Sequence, residues 1–369
     1  MNNQKSDMKN PPMSWSISDV WNTKLSSEKR EVKERPYLSA SDIGMPFLDR
    51  FYKMKGVEPT NPFDERVLRI FDAGLTIEWM MIRIFRLASI LQHTQYKIVI
   101  PETKDHLSIY GYADAIVGGQ PNWGEAKKNI LAFIERYGLR LDDEFIEAKA
   151  MRLVSALEEQ FPDGLKPIVA EIKSLNSMAF HSGKNSDTAG FFAGYPHHKL
   201  QLLTYLLGQE IKEGRLFYIS RDDLCLQETA VFPTKELIDI WEKDVKTMSN
   251  FFRKNIKPAK EPDIVFNEDT KKWEANWRLG RSIYLTKICG EKDKATWEKK
   301  QKSKVGRLNR VLKKIKSKEK LTTDNLKVIK EMRGQNKVLD KILPKKGVKP
   351  SKELREKLEE SESEDDEWG

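Results

Sequence analysis

Glu171 and Lys173 stand two residues apart in a short apolar run, 166–174, beside Pro167, Ile168, Val169, Ala170 and Ile172. Charges in such a run are costly unless they pair or bind a metal. Side chains alternate along a strand, so Glu171 and Lys173 point to one face and Ala170 and Ile172 to the other. Asp114 interrupts a second apolar run, 109–117, within Gly111-Tyr112-Ala113-Asp114-Ala115-Ile116, although Asp is a poor strand residue. If the two strands pair, a carboxylate from each can hold a divalent cation such as magnesium. Lys173 can then orient or help activate a water beside it, a set suited to chemistry at a phosphate.

Such residues need a sheet with helices on its faces. Segment 64–91 carries Val67, Leu68, Ile70, Phe71, Leu75, Trp79, Ile82 and Phe85 at helical spacing, with Glu78 in its most apolar portion. Segments 96–100 and 107–117 predict two strands, and 166–174 predicts a buried one. Segment 195–208 predicts an amphipathic helix with His197, Gln201 and Tyr205 on one side. Beyond it, 215–220 and 224–232 alternate like a closing hairpin, and 234–252 returns to helical periodicity. Ser39, with Asp42 three residues on, predicts a helix start leading through Phe51 and Tyr52. The expected class is α/β, a mixed central sheet flanked by helices. A competing Glu-x-Lys, Glu125-Ala126-Lys127, is nearer Asp114 in sequence but lies among polar, turn-rich neighbours. Glu171 and Lys173 are preferred, which makes 129–161 a mainly helical insertion.

An Asp after a glycine-containing strand, followed by Glu-x-Lys on the next, resembles the PD-(D/E)XK nuclease superfamily. Gly74-Leu75-Thr76-Ile77-Glu78 and Gln201-Leu202-Leu203-Thr204-Tyr205 narrow the resemblance. Both look like the branch of RecB nuclease domains, lambda-type exonucleases and CRISPR-associated RecB-like nucleases, the second being its Gln-x-x-x-Tyr element. The resemblance covers 37–232 and implies a restriction-endonuclease-like core. It implies metal ligation by Glu78, Asp114, Glu171 and the Ile172 carbonyl, with Mg2+ as cofactor and Mn2+ able to substitute. It also implies that Lys173 positions the attacking water, that Gln201 hydrogen-bonds beside it, and that Tyr205 steadies the site or a phosphate. The implied activity is a metal-dependent DNA nuclease, foremost an exonuclease in recombination, repair or replication. DNA and a recombination or replication protein are the implied partners, and a compact enzyme without a motor suits a phage. Two alternatives stay open: a non-catalytic DNA-binding or assembly protein on the same fold, and a restriction-type endonuclease.

Composition bounds these expectations. The chain has 369 residues, 39% hydrophobic and 33% charged. No apolar run approaches the roughly 18–20 residues of a membrane span, and 1–22 lacks a signal-peptide core, so the expected location is cytoplasmic, or host cytoplasm if phage-encoded. Cys225 and Cys289 are the only cysteines, too few for a four-cysteine iron–sulfur site within one chain. There is no Gly-x-x-x-x-Gly-Lys-[Ser/Thr] loop, and the five histidines show no His-x-x-x-His spacing. The net charge of +9 is uneven: 292–350 holds 21 Lys and Arg against 6 Asp and Glu, while 351–369 holds 3 against 9. The expected organisation is a flexible 1–36, a core at 37–255, a connector or small aromatic and basic extension at 256–291, a basic helical nucleic-acid-binding region at 292–350 and a disordered acidic tail at 351–369. In the extension Trp273, Trp277 and Tyr284 alternate with basic residues, as either a nucleic-acid surface or a packed core.

Overall fold

The computed structural model describes residues 16–27, 31–119, 122–136, 143–182, 194–267, 272–317 and 322–332. The expected acidic tail, 351–369, lies outside them, as do 333–350 of the basic region. Helix α1 (Ile17–Ser27) leads to β1 (Leu38–Ser39), α2 (Phe47–Met54) and α3 (Glu65–Leu87). Strands β2 (Leu91–Ile100) and β3 (Ile109–Gly119) pair antiparallel. Helices α4 (Trp123–Arg136) and α5 (Asp143–Gln160) precede β4 (Leu165–Leu175), which returns antiparallel to β3. Strand β5 (Gly214–Ser220) is parallel to β4, so the chain between them crosses over through α6 (Ser177–Ser182) and α7 (Pro196–Gln209). Strand β6 (Leu226–Val231) and α8 (Lys235–Arg253) complete an α/β unit with a mixed six-stranded sheet.

The alternation of β4 fixes the layers. Ile168, Ala170 and Ile172 join Ala115, Val117 and Phe217 beneath Ile77, Met81 and Phe85 of α3. Val169 turns the other way, into a core with Leu216, Tyr218, Leu202, Leu203 and Tyr205. A strand covered on both faces needs apolar residues at consecutive positions, and each fully buried Leu, Ile or Phe contributes about 1.5–3 kcal/mol. Helix α3 starts where the Asp64 carboxylate accepts the Val67 N–H at 2.8 Å, and α8 where Thr234 accepts from Leu237 at 3.4 Å. Buried Arg50 ties α2 to α8 through Asp244 at 2.6 Å.

Several expectations change. Ser39 makes no capping bond and opens only a 3-10 turn, Ala40–Asp42. Gly44, at φ 80°, turns the chain away, and α2 begins behind Pro46. The N-terminal segment is not wholly loose, because 16–27 contain α1. The Trp21 indole donates to Asp72 at 2.9 Å, and Lys24 pairs with the same carboxylate at 2.7 Å. Ile17 and Val20 remain exposed, so this polar seam carries no hydrophobic periodicity to read. The helical insertion begins at Trp123 rather than 129, and Ala126 and Val154 join its two helices. Glu125 and Lys127 therefore lie on a helix, not on a strand beside Asp114.

Beyond α8, β7 (Ile264–Asn267) and β8 (Lys272–Ala275) pair antiparallel. Helices α9 (Trp277–Gly280), α10 (Leu285–Cys289), α11 (Lys294–Lys316) and α12 (Thr323–Met332) follow. Ile264 and Trp273 pack with Leu308, Val311, Leu312, Ile315, Val328 and Ile329, so the expected boundary at 291 runs through one packed unit. The Ser282 hydroxyl donates to Asp49, and the Tyr284 hydroxyl to the Val57 carbonyl at 3.1 Å, which docks the unit on α2 and the loop after it. Among the described residues no helix is long and apolar enough to cross a membrane.

Candidate active site

The β3–β4 ladder ends at Ala115 opposite Ala170, and the next residues in register are Asp114 and Glu171. There a side chain replaces the ladder: Asp114 Oδ2 accepts the backbone N–H of Ile172 at 2.7 Å. Glu171 is 1% exposed and faces α7. Its Oε1 accepts from Lys173 Nζ and, at 2.6 Å, from Gln201 Nε2. The second Gln201 proton goes to the Tyr205 hydroxyl at 2.9 Å, one helical turn on, as an i, i+4 pair allows. Pro196 in the first turn starts this helix. Tyr205 lies so close to β3 that a Cβ at Gly111 would meet its ring at 2.7 Å. The expected Glu171, Lys173, Gln201 and Tyr205 are thus one hydrogen-bonded chain, with Asp114 held beside it through Ile172.

Glu78 approaches from α3 but is turned aside, its carboxylate accepting from Gln95 at 2.6 Å. Sequence reasoning missed Gln95. It is skipped in the β2–β3 pairing between Thr94 and Tyr96, in register with Asp114, and adopts φ 46°. Left-handed backbone at a non-glycine residue costs of order 1–3 kcal/mol and concentrates at functional sites. Only register could have revealed this. Among the described residues no three His, Cys, Asp or Glu side chains converge to hold a metal ion. Glu78, Asp114 and Glu171 do not form such a group here, and each carboxylate accepts from a nitrogen donor: Gln95, the Ile172 amide, and Lys173 with Gln201. Ile172, whose carbonyl is the expected ligand, lies on β4 between Glu171 and Lys173, and its amide donates to Asp114.

Electrostatics still couples the group. Burial, then the neighbouring Asp114 charge, pushes Glu171 up to about 8, against the pull of Lys173. Burial also raises Asp114, with Lys173 and the Ile172 amide opposing, and raises Glu78, with Asp114 adding to it. Burial opposes the charge on Lys173, yet Glu171 and Asp114 outweigh it and hold the ammonium above its usual range. Glu171 Oε2 is buried with no hydrogen-bond partner. An uncompensated carboxylate oxygen in a core is costly. Raised to about 8, Glu171 keeps a proton near neutral pH, and a divalent cation taken up by Glu171 and Asp114 would displace it, since carboxylate oxygen suits magnesium or manganese.

The N-terminal turn of α7 carries a second polar cluster. His198 Nδ1 meets the Tyr218 hydroxyl at 2.9 Å. Burial pushes His198 down to about 2 and His197 to about 4, with Lys173 and Arg281 adding to both. Both imidazoles are therefore neutral.

The chain matches no protein-family model and no curated protein. Among solved structures it is similar to the chain of "Crystal structure of SSO0001", with a TM-score of 0.40 and 16% identity over 76% of this chain and 99% of that one. A likeness that shallow assigns neither an activity nor a family.

Proposed function

We propose that the chain is a divalent-cation-dependent DNA nuclease of the PD-(D/E)XK type, acting as an exonuclease on phosphodiester bonds in linear DNA. The observation that carries this is the buried Glu171 carboxylate, held at Oε1 by Lys173 and Gln201 and open at Oε2, next in register to Asp114. Asp114 and Glu171 would hold the cation, joined by Glu78 once it leaves Gln95. A bound cation supplies Lewis-acid stabilisation and lowers the pKa of its water. Lys173, charged beside Glu171, orients an attacking water and offsets charge developing on the phosphate. Gln201, fixed by Tyr205, holds the orientation of Glu171. DNA is the proposed partner, together with a recombination or replication protein.

The closed Lys173–Glu171 pair and the absence of an assembled three-ligand group among the described residues favour a second reading, a DNA-binding or assembly protein on this fold. End-labelled linear DNA and covalently closed circular DNA, each incubated with Mg2+ and with Mn2+, separate the two. The nuclease degrades linear DNA only when a cation is present. Cutting of closed circles at defined positions would indicate an endonuclease, and binding without cutting under both cations would favour the second reading.

A further inference from the structure

The α7 cluster continues into a surface that the hydrolytic chemistry does not use. The His197 and His198 rings lie 4.1 Å apart, and Tyr195 stands 6.2 Å from Tyr218. Trp277 of α9 closes this group, 5.8 Å from His197 and 6.5 Å from Tyr195. Trp273 and Tyr284, from the same stretch, are buried at 6% and 2%, whereas Trp277 is 39% exposed. The Arg278 and Arg281 guanidinium groups sit 5.9 and 5.2 Å from the Trp277 ring centroid. His197 stands one helical turn before Gln201 on α7, and Gln201 donates to Glu171, so the indole lies against the helix that also carries the candidate site. Packing alone accounts for Trp273 and Tyr284. It does not account for an indole half in solvent with two cations at its ring.

We infer that Trp277, flanked by Arg278 and Arg281, is a stacking platform for an unpaired nucleobase whose adjoining phosphates the two arginines neutralise. The ligand class is single-stranded nucleic acid, because a base within a duplex has no free face to offer. The inference deepens the nuclease reading and rests on it for the identity of the polymer. It assigns the platform to the C-terminal extension, outside the α/β unit.

The test is binding in EDTA, so that no cleavage occurs. Fluorescence anisotropy of a labelled single-stranded oligonucleotide and of a blunt duplex of the same sequence is compared for the parent, Trp277→Ala and Trp277→Phe. Loss of one stacked base predicts about 5- to 150-fold weaker single-strand binding by Trp277→Ala. Trp277→Phe, which keeps a π face, retains most of the affinity, and duplex binding changes little. Arg281→Ala flattens the dependence of single-strand affinity on salt by about 0.7 unit of log–log slope, one phosphate contact on a single strand. Unchanged single-strand binding by a folded Trp277→Ala overturns the inference, as does an equal loss for both substrates. Trp277-dependent binding by a chain that never cuts DNA keeps the platform and sinks the nuclease. Cation-dependent cutting with binding indifferent to Trp277 does the reverse.

Discussion

Gly111→Ala probes the contact that seats Tyr205 against the sheet. The added Cβ would lie 2.6 Å from Ala40 Cβ and 2.7 Å from Tyr205 Cε1. Carbon atoms prefer about 3.5–4.0 Å, so the methyl overlaps on two sides. Neither neighbour can retreat into solvent, since Ala40 is 0% and Tyr205 1% exposed. Overpacking of this kind costs about 1–3 kcal/mol, readable as a lower urea midpoint at unchanged slope. Because the Tyr205 hydroxyl anchors Gln201 and Gln201 holds Glu171, the displaced ring also loosens the candidate site. Misplacement approaching 1 Å costs up to about 100-fold in rate, measured as cation-dependent DNA cleavage well below the unfolding midpoint. Gly111→Ala/Ala40→Gly removes one of the two overlaps and recovers part of the stability. A single variant as stable and as active as the parent would refute the proposed path from β3 through Tyr205 to Glu171.

Arg50→Ala leaves the Asp244 carboxylate facing a buried gap and lowers stability by about 3–5 kcal/mol, read by denaturant unfolding; replacing both partners with apolar residues restores most of it. Burial, opposed by the Ser282 hydrogen bond, raises Asp49 to about 6 from an ordinary 3.8. Between those values Asp49 in the folded chain keeps a proton that the unfolded chain has released, so its contribution to stability falls as pH rises through the window and levels off above about 6. The loss is at most about 3 kcal/mol, and Asp49→Asn removes that slope from a series of melts at pH 3.5 to 7.

The strands and helices that build the site are legible in the sequence because their periodicities are strong. The run around Ile168–Ile172 and the i, i+4 spacing of Gln201 and Tyr205 are local signals, and both elements form where expected. What escapes is set by contacts between distant residues. Gln95 matters only because β2 registers against β3 at Asp114, and neither the left-handed turn at Gln95 nor its bond to Glu78 leaves a local pattern. Helix α1 is held by polar contacts to Asp72 and Arg69, so it lacks an apolar stripe. Trp273 and Trp277 are four residues apart and equivalent in composition, yet one enters the core with α11 and the other stays half in solvent. Glu125 and Lys127 show the opposite hazard, a sequence match on an element of the wrong kind.

The central claim is that β4 carries the catalytic centre. Cation-dependent digestion of linear DNA by Lys173→Ala and Glu171→Gln tests it most directly, beside Lys127→Ala and Glu125→Gln as controls, with folding of each variant confirmed by thermal melting. The account predicts that the β4 variants bind DNA but do not cut it, while the α4 variants cut like the parent. Robust cleavage by a folded Lys173→Ala, or loss of cleavage only in the α4 variants, would contradict it.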